Sequence, residues 1–204
     1  MLAFIPPPVT LPQTTLTSEV QAIQALPPTI PDVPFYSQFK DIVSPLWQNV
    51  GCGITSLAMV VDFYKPDAVS VNSLLKQGIA AGAYENGVGW RYGGLIALSK
   101  KYGLSGAYYD LSTLAAGTAF DEFQNLLKDG PVILSVHNRF NPKSTVPHLV
   151  VIDGINNNVV YYNDPAAKTG EKQISVPAFL ASWKEKVIAL RPMGKNSASG
   201  LSLK

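Results

Sequence analysis

Near residue 130 the chain changes its hydrophobic period, and that change constrains the fold more than any other feature. Upstream, "GITSLAMVVDFY" sets Ile54, Leu57, Ala58, Val61 and Tyr64 at the i, i+3, i+4, i+7 spacing of a buried helix face, and Pro66 stops it. "SVNSLLKQGIAAG", "GWRYGGLIALSKKYGL" and "FDEFQNLLKDG" predict further helices, the first starting at Ser70 or Asn72 and the last stopped by Gly130. Downstream, "PVILSV" and "HLVVIDGI" are short apolar runs that predict buried strands, and "NVVYYND" predicts a third. The "NNN" between the last two tolerates the left-handed backbone of a tight hairpin. "VPAFLASWKEK" predicts a return to helix and "VIALRP" a closing strand, while "VPFYSQF", near the start, alternates like a short strand. Helices first and antiparallel strands after predict an α+β fold, with the helices packed on a small sheet.

The chain has 204 residues, 47% of them hydrophobic, enough for one sizeable core. Pro6, Pro7, Pro8, Pro12, Pro27, Pro28 and Pro31 mark residues 1–31 as an extended arm or linker, in which "TSEVQAIQAL" predicts a short helix. The domain is expected over 32–193, with a small polar tail over 194–204. Only 15% of residues are charged and the net charge is +2, with Lys and Arg scattered, so no nucleic-acid footprint is evident. No apolar run is long enough for a membrane span, and "MLAFIPPPV" lacks the basic start of a signal peptide. Low charge and the Pro/Thr lead-in are read as an exported or cell-surface bacterial domain in preference to a cytoplasmic one. One cysteine excludes an internal disulfide and a cysteine-based zinc site, and two histidines leave little for a metal centre, so no cofactor is expected.

The candidate chemistry rests on few residues. Cys52 stands between Gly51 and Gly53 where a loop becomes a helix. A lone cysteine is most often a small core residue. In the first turn of a helix, however, free N–H groups and the macrodipole favour the thiolate over the thiol, whose free pKa is about 8.5. The flanking glycines are expected to let backbone and substrate approach closely. His148 opens an apolar strand beside a loop, within reach of a thiol on a packed helix. His137, between "VILSV" and "NRFNPKS", is the competitor and is expected in a polar loop. Mirroring the hairpin about Asn157 puts His148 opposite Ala166, close to Asp164, whose carboxylate can then hold one imidazole nitrogen. Trp47 and Trp90 are candidates to border a substrate groove, but large aromatics are more often core packing, so neither is placed in the catalytic set.

In this order "VPFYSQF", "GCGITSLAMVVDFY", "GPVILSV", "HLVVIDGI" and "VVYYNDP" resemble papain-like cysteine peptidases related to the bacteriocin-processing, double-glycine leader peptidases, in particular their stand-alone "C-thirty-nine-like" branch. The resemblance runs from about Val33 to Arg191. It implies a papain-like fold with the cysteine on a central helix and His and Asp on the sheet. It also implies that Cys52 attacks a peptide carbonyl, His148 moves the proton, and Asp164 orients His148. No metal or organic cofactor is implied, and the expected partner is a peptide or protein substrate. An oxyanion-hole glutamine should precede the cysteine. In compact members it lies a short way upstream; here Gln38 is further off and Gln48 nearer. Gln38 is favoured because "PFYSQ" resembles the branch's own motif, with "FKDIVSPLWQ" as a looped insertion. Leader processing at Gly-Gly is the relatives' best known activity. The rival readings are an amidase or acyl transferase acting on cell-wall peptides or amines, and a non-catalytic binding module on the same scaffold.

Overall fold

A computed structural model describes residues 30–194. The helix expected in "TSEVQAIQAL", most of the Pro-rich arm and the polar tail lie outside the described residues. In chain order the elements are α1 (Pro45–Gln48), α2 (Cys52–Tyr64), α3 (Val71–Ala80), β1 (Tyr84–Glu85), β2 (Gly89–Trp90), α4 (Tyr92–Ser99), β3 (Leu104–Asp110), α5 (Ala116–Lys128), β4 (Val132–His137), β5 (Pro147–Asn156), β6 (Val159–Asn163), β7 (Lys172–Ser175), α6 (Val176–Leu180) and β8 (Trp183–Pro192). A six-stranded antiparallel sheet has the order β3-β8-β4-β5-β6-β7, and β1 pairs with β2 in a separate two-stranded ribbon.

Both faces of the central strands are covered, which is why they read as continuous apolar runs rather than alternating ones. Ile133, Leu149, Val151, Ile188 and Leu190 face the core built by α2, α3 and α4. The intervening residues Leu134, Val150, Ile152 and Val187 face a second core with Phe123 of α5, Phe179 of α6 and Trp183. α2 is buried at every position from Gly53 to Val61, so it is a central helix rather than a surface helix with one wet side. Its Ser56 hydroxyl donates to Leu149 O at 3.3 Å, tying the helix to β5. Among the described residues no helix is long and apolar enough to cross a membrane.

Several local expectations need correction. "VPFYSQF" forms no ladder: Pro34 lacks a donor, and the segment is tied down instead by Asn163 Nδ2 donating to Val33 O (3.2 Å) and Gln38 N–H donating to Pro165 O (2.8 Å). The helix predicted over "VPAFLASWKEK" ends at Leu180, because Trp183–Lys186 is drawn into β8, which fills the sheet between β3 and β4. α5 begins before Phe120, and α4 begins at Tyr92 because Gly89–Trp90 belongs to the small ribbon. β3 interrupts the helical half; its side chains after Leu104 are exposed, so "LSGAYYD" carries no apolar pattern.

Candidate active site

Cys52 is the first residue of α2, so its backbone N–H has no intrahelical partner, and no side chain caps this end of the helix. The thiol is half-buried. Its glycine neighbours serve the protein's own packing. A Cβ on Gly53 would lie 2.7 Å from Trp90 Cβ, and one on Gly51 would meet Ile42. Trp90 is itself fixed, its Nε1–H donating to Val50 O at 2.7 Å. Burial alone would raise the thiol pKa. The hydrogen bond and charge of His148, followed by backbone groups of Leu149 and Gly53, outweigh it and hold the thiol below its ordinary value.

His148, only 6% exposed, stands at the start of β5. The β5–β6 hairpin turns through Asn157 and Asn158, both left-handed at φ 48° and 63°. Gly154 pairs with Tyr161, but Ile152 pairs with Tyr162, so Asp153 is the extra residue of a β-bulge. Beyond the bulge the register is the one obtained by mirroring about Asn157. The open end of the hairpin then brings Asp164 Oδ1 to 2.6 Å from His148 Nε2. The same oxygen accepts from Ala166 N–H at 2.8 Å, which holds the carboxylate in place. Burial disfavours the imidazolium, yet the bond to Asp164 and the contact with Cys52 raise the His148 pKa to about 10. Burial likewise opposes ionisation of Asp164, but His148 and Ala166 N–H hold its pKa below the usual value. With Nε2 engaged by Asp164, Nδ1 is the ring nitrogen left for Cys52.

The two glutamines occupy different positions. Gln48 Nε2 donates to Ile42 O (2.8 Å) and Phe39 O (3.2 Å), so its amide staples the 39–42 loop. Gln48 O accepts from Gln38 Nε2 at 2.7 Å, and Gln38 borders the same cavity as Cys52, His148 and Asp164. That cavity, of about 300 Å³, lies on one side of the Cys52–His148 pair; a second, of about 430 Å³, lies on the other, toward the β1–β2 ribbon. His137 is elsewhere, at the end of β4, its Nδ1 2.6 Å from Ser144 O.

Two features draw on partners distant in the sequence, Tyr84 and Asp153 having had no signal there. Tyr84 packs edge-on against both Trp47 (5.0 Å between centroids) and Trp90 (5.4 Å), forming an aromatic wall beside Cys52. Behind Asp164, the buried Asp153 Oδ2 accepts from Asn163 Nδ2 at 2.9 Å, and Asn163 Oδ1 accepts from Glu171 N–H at 3.0 Å. Burial raises the Asp153 pKa to about 8, against the Asn163 bond and helped by Asp32 and Glu171. Only the juxtaposition of the bulge with the end of β6 makes this network.

Comparison with known proteins agrees with this architecture. The crystal structure of a double glycine motif protease from an AMS/PCAT transporter, in complex with the leader peptide, matches with a TM-score of 0.54 at 24% identity, covering 79% of this chain and 93% of that one. The peptidase domain of Streptococcus ComA, a bi-functional ABC transporter involved in a quorum-sensing pathway, matches with a TM-score of 0.55 at 25% identity, covering 71% and 93%. A search of curated proteins finds no match. The α+β fold is thus the papain-like one, a central helix packed on an antiparallel sheet. Because the Peptidase_C39 like family model matches residues 30–187, nearly all of the described chain, the protein belongs to that family.

Proposed function

We propose that the protein is a cysteine peptidase that hydrolyses a peptide bond through a thioester on Cys52. The observation that carries this reading is the buried relay in which His148 is held at 2.6 Å by Asp164 while its other nitrogen is left for the Cys52 thiol. The thiol proton resides on His148, and the Cys52 thiolate attacks the substrate carbonyl carbon. Negative charge develops on the carbonyl oxygen, where the Cys52 backbone N–H and the second Nε2–H of Gln38 serve as donors. As the intermediate collapses, the C–N bond breaks and His148 gives its proton to the departing amine. A water then attacks the thioester carbon, its proton passing to His148; the C–S bond breaks and the acid departs, leaving the Cys52 thiolate beside the protonated His148. Asp164 holds the imidazole in the orientation both transfers need and stabilises its charged form.

The leader peptide bound to the related transporter protease supports a peptide as the substrate class. The test is incubation with a peptide mixture, with mass spectrometry of products and of the intact protein. Wild type is expected to generate cleaved peptides and a transient acyl adduct on Cys52, and Cys52→Ala neither. Cleavage that survives Cys52→Ala overturns the proposal.

A further inference from the structure

The cavity on the ribbon side of Cys52 says what kind of side chain the substrate carries, given the peptidase reading. It encloses about 430 Å³ and reaches from Cys52 and His148 to the β1–β2 turn. Its walls include Tyr84, Val88, Trp90, Tyr92, Val146 and Leu149, and none of the residues lining it is Lys, Arg, Asp or Glu. Away from the Cys52–His148 pair itself, a charged group entering it would lose water and gain no partner of opposite sign.

The cavity is built in advance. Trp90 is clamped between Gly53 and Gly78, where an added Cβ would lie 2.7 Å from its side chain at either position, and its indole N–H is bonded to Val50 O. Tyr84 packs edge-on against it. At the mouth stand two valines from separate segments, Val88 at 66% exposure and Val146 at 57%. Free, these apolar surfaces face water; a large apolar side chain laid between them removes that surface from water. A Gly-Gly sequence offers no such group and would leave the walls wet.

We infer that this enzyme selects a large uncharged side chain, aromatic or branched aliphatic, within two residues of the scissile bond, and not a double glycine. The inference rests on the peptidase reading but fails separately from it.

The test is a peptide pool in which the two residues on each side of a central bond are varied among Gly, Leu, Phe, Asp and Lys. At one of these positions Phe or Leu is expected to exceed Gly in kcat/KM by about tenfold or more, the scale at which apolar pockets discriminate size. Asp and Lys there should be poorer still. Val88→Trp, which fills the mouth, should shrink the Phe-to-Gly ratio, a comparison internal to each preparation. Gly preferred at every position, with Cys52-dependent cleavage intact, overturns the inference and leaves the peptidase reading standing. If no member is cleaved, protection of Cys52 from iodoacetamide reads the cavity directly. Stronger protection by Phe and Leu members supports the inference, whereas equal or no protection overturns it.

Discussion

His148 Nε2 and Asp164 Oδ1 meet at 2.6 Å across the open end of one hairpin, with His148 at the start of β5 and Asp164 just past β6. Asp164 Oδ1 serves two donors at once, the imidazole and Ala166 N–H, so its carboxylate is oriented by backbone before it orients the histidine. Asp164→Ala is expected to lower kcat/KM by about 10²-fold or more, in the range of a lost general-base function. Asp164→Asn should lose less, because its amide oxygen still accepts from Nε2, but the basic limb of the pH profile should move down from about 10. Profiles of kcat/KM against pH for the three proteins check this; a D164A profile matching wild type refutes it.

The same pair sets a pH dependence of stability. His148 has a folded pKa of about 10, above its ordinary 6.5, so its contribution is complete below 6.5 and is lost as pH rises through 10. The depressed pKa of Asp164 works in the opposite sense: its contribution is present above its ordinary 3.8 and is lost as pH falls through the folded value. Urea unfolding of wild type and Asp164→Ala across pH should show the two curves converging at both extremes.

Gln38 and Gln48 are separable by their amides. Gln38→Ala should lower kcat by about 10²- to 10³-fold, as loss of one oxyanion donor does, with little change in KM. Gln48→Ala removes two hydrogen bonds from the 39–42 loop and should cost about 1–3 kcal/mol of stability, with the milder kinetic defect. Steady-state kinetics together with urea midpoints distinguish the two; the reversed pattern would make Gln48 the oxyanion donor.

Asp153 should weaken the fold as pH rises. Its folded pKa of about 8 exceeds the ordinary 3.8, so between those values the native state holds the extra proton and stability declines with increasing pH. Asp153→Asn keeps an oxygen for Asn163 Nδ2 and removes this titration, so the variant should show a smaller decline, what remains being the share of His148 above pH 6.5. The measurement is the urea midpoint at pH 5 and pH 8 in both proteins.

Gly53→Ala should disturb the site without touching its chemistry. The new methyl would lie 2.7 Å from Trp90 Cβ, whose indole is pinned at Val50 O, so neither side yields easily. A loss of about 1–3 kcal/mol is expected, as for overpacking elsewhere. Thermal unfolding and the intrinsic fluorescence of the tryptophans report it.

Much of this site was legible because its signals are local. Cys52 at a loop-to-helix junction, "HLVVIDGI" and the asparagine turn are each readable within a dozen residues, and the hairpin register carries His148 to Asp164. What escaped depends on distant partners. Trp183–Lys186 reads as helix until the sheet requires a strand between β3 and β4. β3 has no apolar alternation because every side chain after Leu104, on either face, stays exposed. Gly51 and Gly53 flank the thiol in sequence, yet Ile42 and Trp90 are what make them necessary. Asp153 reads as one polar residue in an apolar strand, and only pairing with β6 makes it a bulge.

The most direct test of the account is the pH dependence of Cys52 alkylation by iodoacetamide, in wild type and in His148→Ala. Cys52 is the only cysteine, so labelling has a single site. The account predicts fast reaction well below the free-thiol pKa of about 8.5 in wild type and loss of that acid-shifted limb in the variant. A thiol that stays inert in both until the protein unfolds, or reacts identically in both, would contradict the pairing of Cys52 with His148 on which the proposed function stands.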